Sequence, residues 1–181
     1  ASQSVNKKGK RPSFRTIFAS IAVHGNRLQL EGWVHFYDLL QKAAGQDRRL
    51  LRALGLGVSS DAENPRLEIE GLTWHDGALY LGLKDPIDDR GRALIWRLAD
   101  PDALLQEQSF SHAGLTLWRT VQLPIQGKPA GISEILFLPG NKLVLAAVGE
   151  ESGGLFYVAD TERESLQPQL MGMFRGHKPE G

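Results

Sequence analysis

Ile69-Glu70-Gly71-Leu72-Thr73-Trp74 leads through the turn Asp76-Gly77 into the alternating run Leu79-Tyr80-Leu81-Gly82-Leu83. The same plan returns as Ile132-Ser133-Glu134-Ile135-Leu136-Phe137, the turn Pro139-Gly140-Asn141, and Leu143-Val144-Leu145-Ala146-Ala147. A final Glu180-Gly181 repeats the centre of the motif where the chain stops. Apolar residues at a period of two mark half-buried strands, and a short Gly-containing turn between two such runs marks a hairpin. A motif recurring at the head of successive β-units reads as repeated blades. The spacing from Ile69 to Ile132 is long for a blade repeat, so the repeat rests on the order of features more than on identity.

Working outward from the first motif, residues 92–98 supply a third strand, Asp100-Pro101 opens a helical turn through Leu105 with Pro at the first helical position, and residues 115–123 form a fourth strand. After the second motif, residues 155–160 and 169–174 supply the third and fourth strands of that unit. Two blade-like units follow, at about 67–123 and 131–174. Upstream, residues 16–23 and 27–34 flank Gly25-Asn26 as a hairpin, the outer half of a partial earlier blade at 16–34. Between hairpin and first unit the period changes: Leu39, Leu40, Ala43 and Ala44 make a helical stripe after Asp38 as N-cap, ended by Gly45, and residues 48–54 continue as a second short helix. Residues 55–66, with Gly, Ser, Asn and Pro, read as a connector.

Four-stranded antiparallel units in series favour a β-propeller over a sandwich. The expected fold is therefore mainly β: residues 1–181 form a single incomplete propeller domain, an open arc of blades with one or two short helices near 37–54. Because the chain opens on Ala1 and ends inside the motif, the sequence predicts a true N-terminus upstream and missing blades elsewhere in the parent chain. Cytoplasm and periplasm both fit.

Composition narrows the functional classes. Twenty-one Lys and Arg balance 21 Asp and Glu, which removes the global electrostatic case for a nucleic-acid or membrane-surface protein and leaves charged partners to be read locally. The absence of Cys removes disulfides, thiolate metal sites and a Cys nucleophile. The apolar runs fall well short of the roughly 20 residues of a membrane helix.

Several of the quoted segments carry a resemblance. Ile69-Glu70-Gly71-Leu72, Leu81-Gly82-Leu83-Lys84-Asp85-Pro86, Gly91-Arg92-Ala93-Leu94, Gly131-Ile132 and Gly176-His177-Lys178-Pro179-Glu180-Gly181 together resemble the bacterial domain-of-unknown-function family 3616, similar in outline to the phytase-like esterase propellers. The resemblance covers most of the chain and implies the propeller; the family has no agreed activity. Members tend to carry a Gly-Ser-His-Ser-like segment before a basic loop, and here Ala1 and Gln3 replace its Gly and His.

Candidate chemistry follows from position. Glu70 and Glu180 occupy equivalent places at the start of an innermost strand, facing the channel of a propeller. They either ligate a hard cation, Ca²⁺ or Mg²⁺, or accept hydrogen bonds that lock neighbouring blades. By analogy, lactonase-type propellers open a blade with a metal-binding Glu. Arg11, Lys84, Arg92 and Lys178 are the candidate anion-binding cations, Lys84 and Lys178 lying beside the repeated motif. Asp85, before Pro86 at the channel mouth, is the candidate catalytic base. The five histidines lack metal-ligand spacing, and no Gly-x-Ser-x-Gly elbow is present. Two functions are expected: binding of a small anionic ligand or a protein partner at the channel mouth, or metal-assisted hydrolysis of phosphate esters or lactones.

Overall fold

The computed structural model describes residues 12–56, 67–149 and 152–175. Arg11, Lys178 and Glu180 lie outside that set, as does the terminal copy of the motif. The described chain is mainly β, and every strand pair is antiparallel. A 3₁₀ turn, Ser13–Thr16, leads into a hairpin of β1 (Ile17–His24) and β2 (Arg27–His35), followed by helices α1 (Phe36–Gln46) and α2 (Arg48–Ala53). The first four-stranded sheet is β3 (Glu68–His75), β4 (Ala78–Asp85), β5 (Ala93–Leu98) and β6 (Leu115–Val121), with α3 (Pro101–Glu107) and α4 (Phe110–Ala113) between its last two strands. A two-residue-per-strand hairpin, β7 (Pro124–Ile125) and β8 (Lys128–Pro129), links it to the second sheet. That sheet is β9 (Gly131–Leu138), β10 (Lys142–Val148), β11 (Ser152–Val158) and β12 (Gln169–Arg175). Both large sheets are meanders, each strand beside its sequence neighbour.

The two sheets are copies in register as well as in strand order. Leu81 pairs with Leu72 on one side and Trp96 on the other; in the second sheet Leu145 pairs with Ile135 and Phe156. Leu79–Leu98 corresponds to Leu143–Val158, and Gly82–Ile95 to Ala146–Leu155. The irregularities coincide too. Glu70 is skipped between Ile69–Leu83 and Gly71–Gly82, as Ser133 is skipped between Ile132–Ala147 and Glu134–Ala146. Trp118 is passed over between Trp96–Leu117 and Ile95–Arg119; Met171 is its counterpart between Phe156–Leu170 and Leu155–Gly172. A bulge re-aims the strand beyond it, so two shared bulges in each four-stranded unit give both sheets the same twist and the same inward faces.

Alternation sorts each strand onto two faces. On the first sheet, Ile69, Leu81, Leu83, Leu94, Trp96 and Leu98 bury against α1, α2 and α3. The Trp96 indole N–H donates to the Leu54 carbonyl at 2.7 Å, fixing the end of α2 on this face. Tyr80, Ala93, Ile95 and Val121 on the opposite face bury against Ile132, Ile135, Leu143, Leu145 and Phe156 of the second sheet. The sheets approach closely because Gly82 and Gly131 carry no side chain. A Cβ on Gly82 would lie 2.5 Å from Ile132 Cγ2, and one on Gly131 would collide with the Lys84 carbonyl.

The helices depart from expectation at their ends. Asp38 sits inside the first turn of α1, whose N-cap is His35, because Phe36 and Tyr37 are drawn into the core and Phe36 packs edge-on against Phe110 at 5.2 Å. Gly45 does not end the helix; it continues to Gln46, and Asp47 then caps α2 by accepting from the Arg49 N–H at 2.9 Å. Trp74 matches Phe137 in register, but it is 58% exposed, whereas Phe137 packs onto the first sheet.

Candidate functional site

Two polar regions lie near the ends of β4 and β5, and the expected site residues divide between them. Lys84 and Asp85, at the end of β4, line a cavity of about 630 Å³ together with Glu68, Lys128, Gly131 and Ser152. Lys84 Nζ donates to Glu70 Oε1 at 3.0 Å and lies 3.7 Å from Glu68 Oε2. Burial by itself would lower the Lys84 pKa, but the hydrogen bonds and charges of Glu70 and Glu68 outweigh it and hold the ammonium above its ordinary value. Asp85 stands opposite Glu68 in register and is half-buried. Lys84 and Glu70 are thus joined, with Glu70 engaged by the ammonium group, while Asp85 shares the cavity with Lys84. Ser133, the counterpart of Glu70, uses the same bulge position to donate to the Ala146 carbonyl at 3.2 Å. Among the described residues no group of three His, Asp or Glu side chains is placed to hold a metal ion.

Arg92 belongs elsewhere. It lines a cleft of about 1120 Å³ between β6 of the first sheet and residues 164–168, just before β12, of the second. The loop that carries it is built by Asp88. One carboxylate oxygen of Asp88 accepts the N–H groups of Arg90 at 2.9 Å and Arg92 at 2.8 Å. The other accepts Arg92 Nε and a terminal guanidinium nitrogen, each at 2.7 Å. Burial would raise the Asp88 pKa; these four donors and the Arg92 charge overcome it and keep the carboxyl below its ordinary 3.8. The turn closes on Gly91 at a φ of +71°, a conformation that suits glycine.

The Asp88 clasp leaves Arg90 pointing from an organised loop without a side-chain hydrogen bond or ion pair among the described residues. Arg119 is the third guanidinium of the cleft. It donates to two carbonyls, those of Trp118 at 2.9 Å and Arg163 at 3.2 Å, and lies 5.1 Å from the centre of the Trp118 ring, with no carboxylate partner among the described residues. Trp118 is held by edge contacts to Tyr80 at 5.0 Å and by Phe137 at 5.7 Å, an aromatic cluster that His75 completes by stacking on Phe137 at 4.0 Å. Among the charged residues lining the cleft, three arginines face one carboxylate, Glu164. Such a site holds anions by charge-assisted, fork-shaped hydrogen bonds.

No family model, curated protein or solved structure matches the chain. The reading of the cleft therefore rests on its own geometry. Arg90 and Arg119 escape a sequence reading centred on the repeated motif, since neither lies beside it. The one local signal is the pair Trp118-Arg119, an aromatic beside a cation at a strand position that Met171-Gly172 fills in the second unit. No helix among the described residues is long and apolar enough to cross a membrane.

Proposed function

We propose that the chain is a propeller-type binding module and that the cleft between the outer strands of its two sheets holds an anionic ligand. The shared registers and bulges of the two sheets, and the laying of β9 across β3 and β4, support reading them as neighbouring blades. They agree with the resemblance to the domain-of-unknown-function propellers drawn from the motif. The observation that carries the function is the cluster of Arg90, Arg92 and Arg119, two of whose guanidinium groups have no carboxylate partner among the described residues. The anion site lies at the outer strands and not at the channel mouth, because Lys84 there is already engaged by Glu70 and Glu68.

Metal-assisted hydrolysis would need Glu70 as a ligand, and that carboxylate is engaged by Lys84. Anion binding makes no such demand. Titration calorimetry with tripolyphosphate and with citrate tests the proposal. Arg119→Ala should weaken binding about tenfold or more, the scale of one lost hydrogen bond to a charged group. Unchanged affinity in both Arg119→Ala and Arg90→Ala would overturn it.

A further inference from the structure

The cleft is lined by consecutive residues of one strand, Leu117, Trp118, Arg119 and Thr120. Residues directly opposite one another share a face. Leu117 pairs with Trp96 and Thr120 with Leu94, on the side of the helices, whereas Arg119 pairs with Ile95, on the side of the second sheet. A cleft that touches both faces of a strand runs along its edge. Among the described residues β6 pairs with β5 alone, so its other edge has no strand partner; the Trp118 carbonyl, which accepts from the Arg119 guanidinium, is the one β6 backbone group with a side-chain partner among those residues. The volume, about 1120 Å³, exceeds what one small anion fills, and the cleft follows four consecutive residues of β6. With Arg92 paired to Asp88, Arg90 and Arg119 still outnumber Glu164, which sets the charge of an extended segment bound there.

We propose that the ligand is an acidic peptide in extended conformation, which adds to β6 as a fifth antiparallel or parallel strand. Its backbone pairs with the open edge of β6. Alternate carboxylates reach Arg90 and Arg119, and the intervening side chains, on the opposite face of the added strand, pack on Leu117. This rests on the anion-binding reading of the cleft and adds the partner class and the mode of recognition.

The test uses the whole chain and a fluorescein-labelled peptide of alternating Glu and Val, nine residues long, read by anisotropy. Two further versions carry N-methyl groups on the Glu residues or on the Val residues. In an edge-strand complex only alternate peptide residues bond to the protein, so one methylated version should lose about tenfold or more in affinity while the other stays within about threefold. A Gln-Val peptide should bind about tenfold more weakly than Glu-Val. Equal binding of both methylated versions overturns strand addition, and equal binding of Gln-Val and Glu-Val overturns the acidic assignment. Binding of tripolyphosphate without the Glu-Val peptide overturns this inference but leaves the anion cleft standing. Failure of both probes overturns both.

Discussion

At the residue scale, Asp88 shows how a short sequence segment sets up a site it does not itself occupy. Its carboxylate satisfies two backbone N–H groups and clasps the Arg92 guanidinium, so the loop 88–92 is organised around one nearly buried charge. The sign of the resulting pH dependence follows from its lowered pKa. Stabilisation by the ionised carboxyl is fully present above the unfolded value of about 3.8 and is lost as pH falls through the lower folded value. Asp88→Asn should therefore lower the urea midpoint at pH 7 and flatten the loss of stability on acidification below pH 3.8. Parallel acid profiles for the parent and Asp88→Asn would show that the carboxylate contributes nothing specific. Asp88 itself reads from sequence as a solvent-facing turn residue beside Asp89. Its burial arises only when Arg92, at the head of β5, folds back over it.

At the element scale, β3 and β9 are the same strand in two environments. Trp74 and Phe137 match in register, yet the first is exposed and the second is packed against His75, Tyr80 and Trp118. Equal sequence positions need not have equal energetic weight, because burial depends on what the neighbouring layer brings. Phe137→Ala should cost about 3 kcal/mol, the lower end for a large core aromatic, since Phe137 is only partly buried. Trp74→Ala should fall within about 0.5 kcal/mol, as for other surface changes. Urea denaturation of the two variants checks this, and equal losses would mean that the helix-covered face extends to Trp74. The strands, their order and most of their ends were legible from alternation and from the Gly turns. The short helix α4 and the β7–β8 hairpin were not, because four-residue and two-residue elements carry too little periodicity to read.

At the scale of the whole molecule, the described residues cover the first sheet on both faces and the second on one. Leu136 and Leu155, on the outer face of the second sheet, are 55% and 39% exposed, while Leu143 and Leu145 on its inner face are fully buried. Leu155 corresponds in register to Ile95, which the second sheet buries completely. The outer face is thus the same surface that, one unit earlier, receives a sheet. The difference predicts a sided response: Leu145→Ala should cost about 2–5 kcal/mol and Leu155→Thr under about 1 kcal/mol in thermal or urea unfolding. A loss at Leu155 as large as at Leu145 would mean that the outer face is buried in solution.

The sequence by itself determined the repeated unit. Period-two alternation, glycine at the turns and the recurrence of Ile69-Glu70-Gly71 as Ile132-Ser133-Glu134 are local properties, written in neighbouring residues, and they identified two four-stranded units; the bulge that Glu70 and Ser133 share shows only in the strand registers. Tertiary structure alone decided which charges are spent and which are available. Glu70 and Lys84 are fourteen positions apart and neutralise one another across β3 and β4. Arg90 and Arg119 come from separate segments and share a cleft only because the second sheet packs against the first. Charge pairing depends on distances between strands that no local pattern encodes: the residues of the motif pointed to the inner strands, where Lys84 and Glu70 pair, and the packing of one sheet on the other placed the guanidinium groups at the open edge of β6.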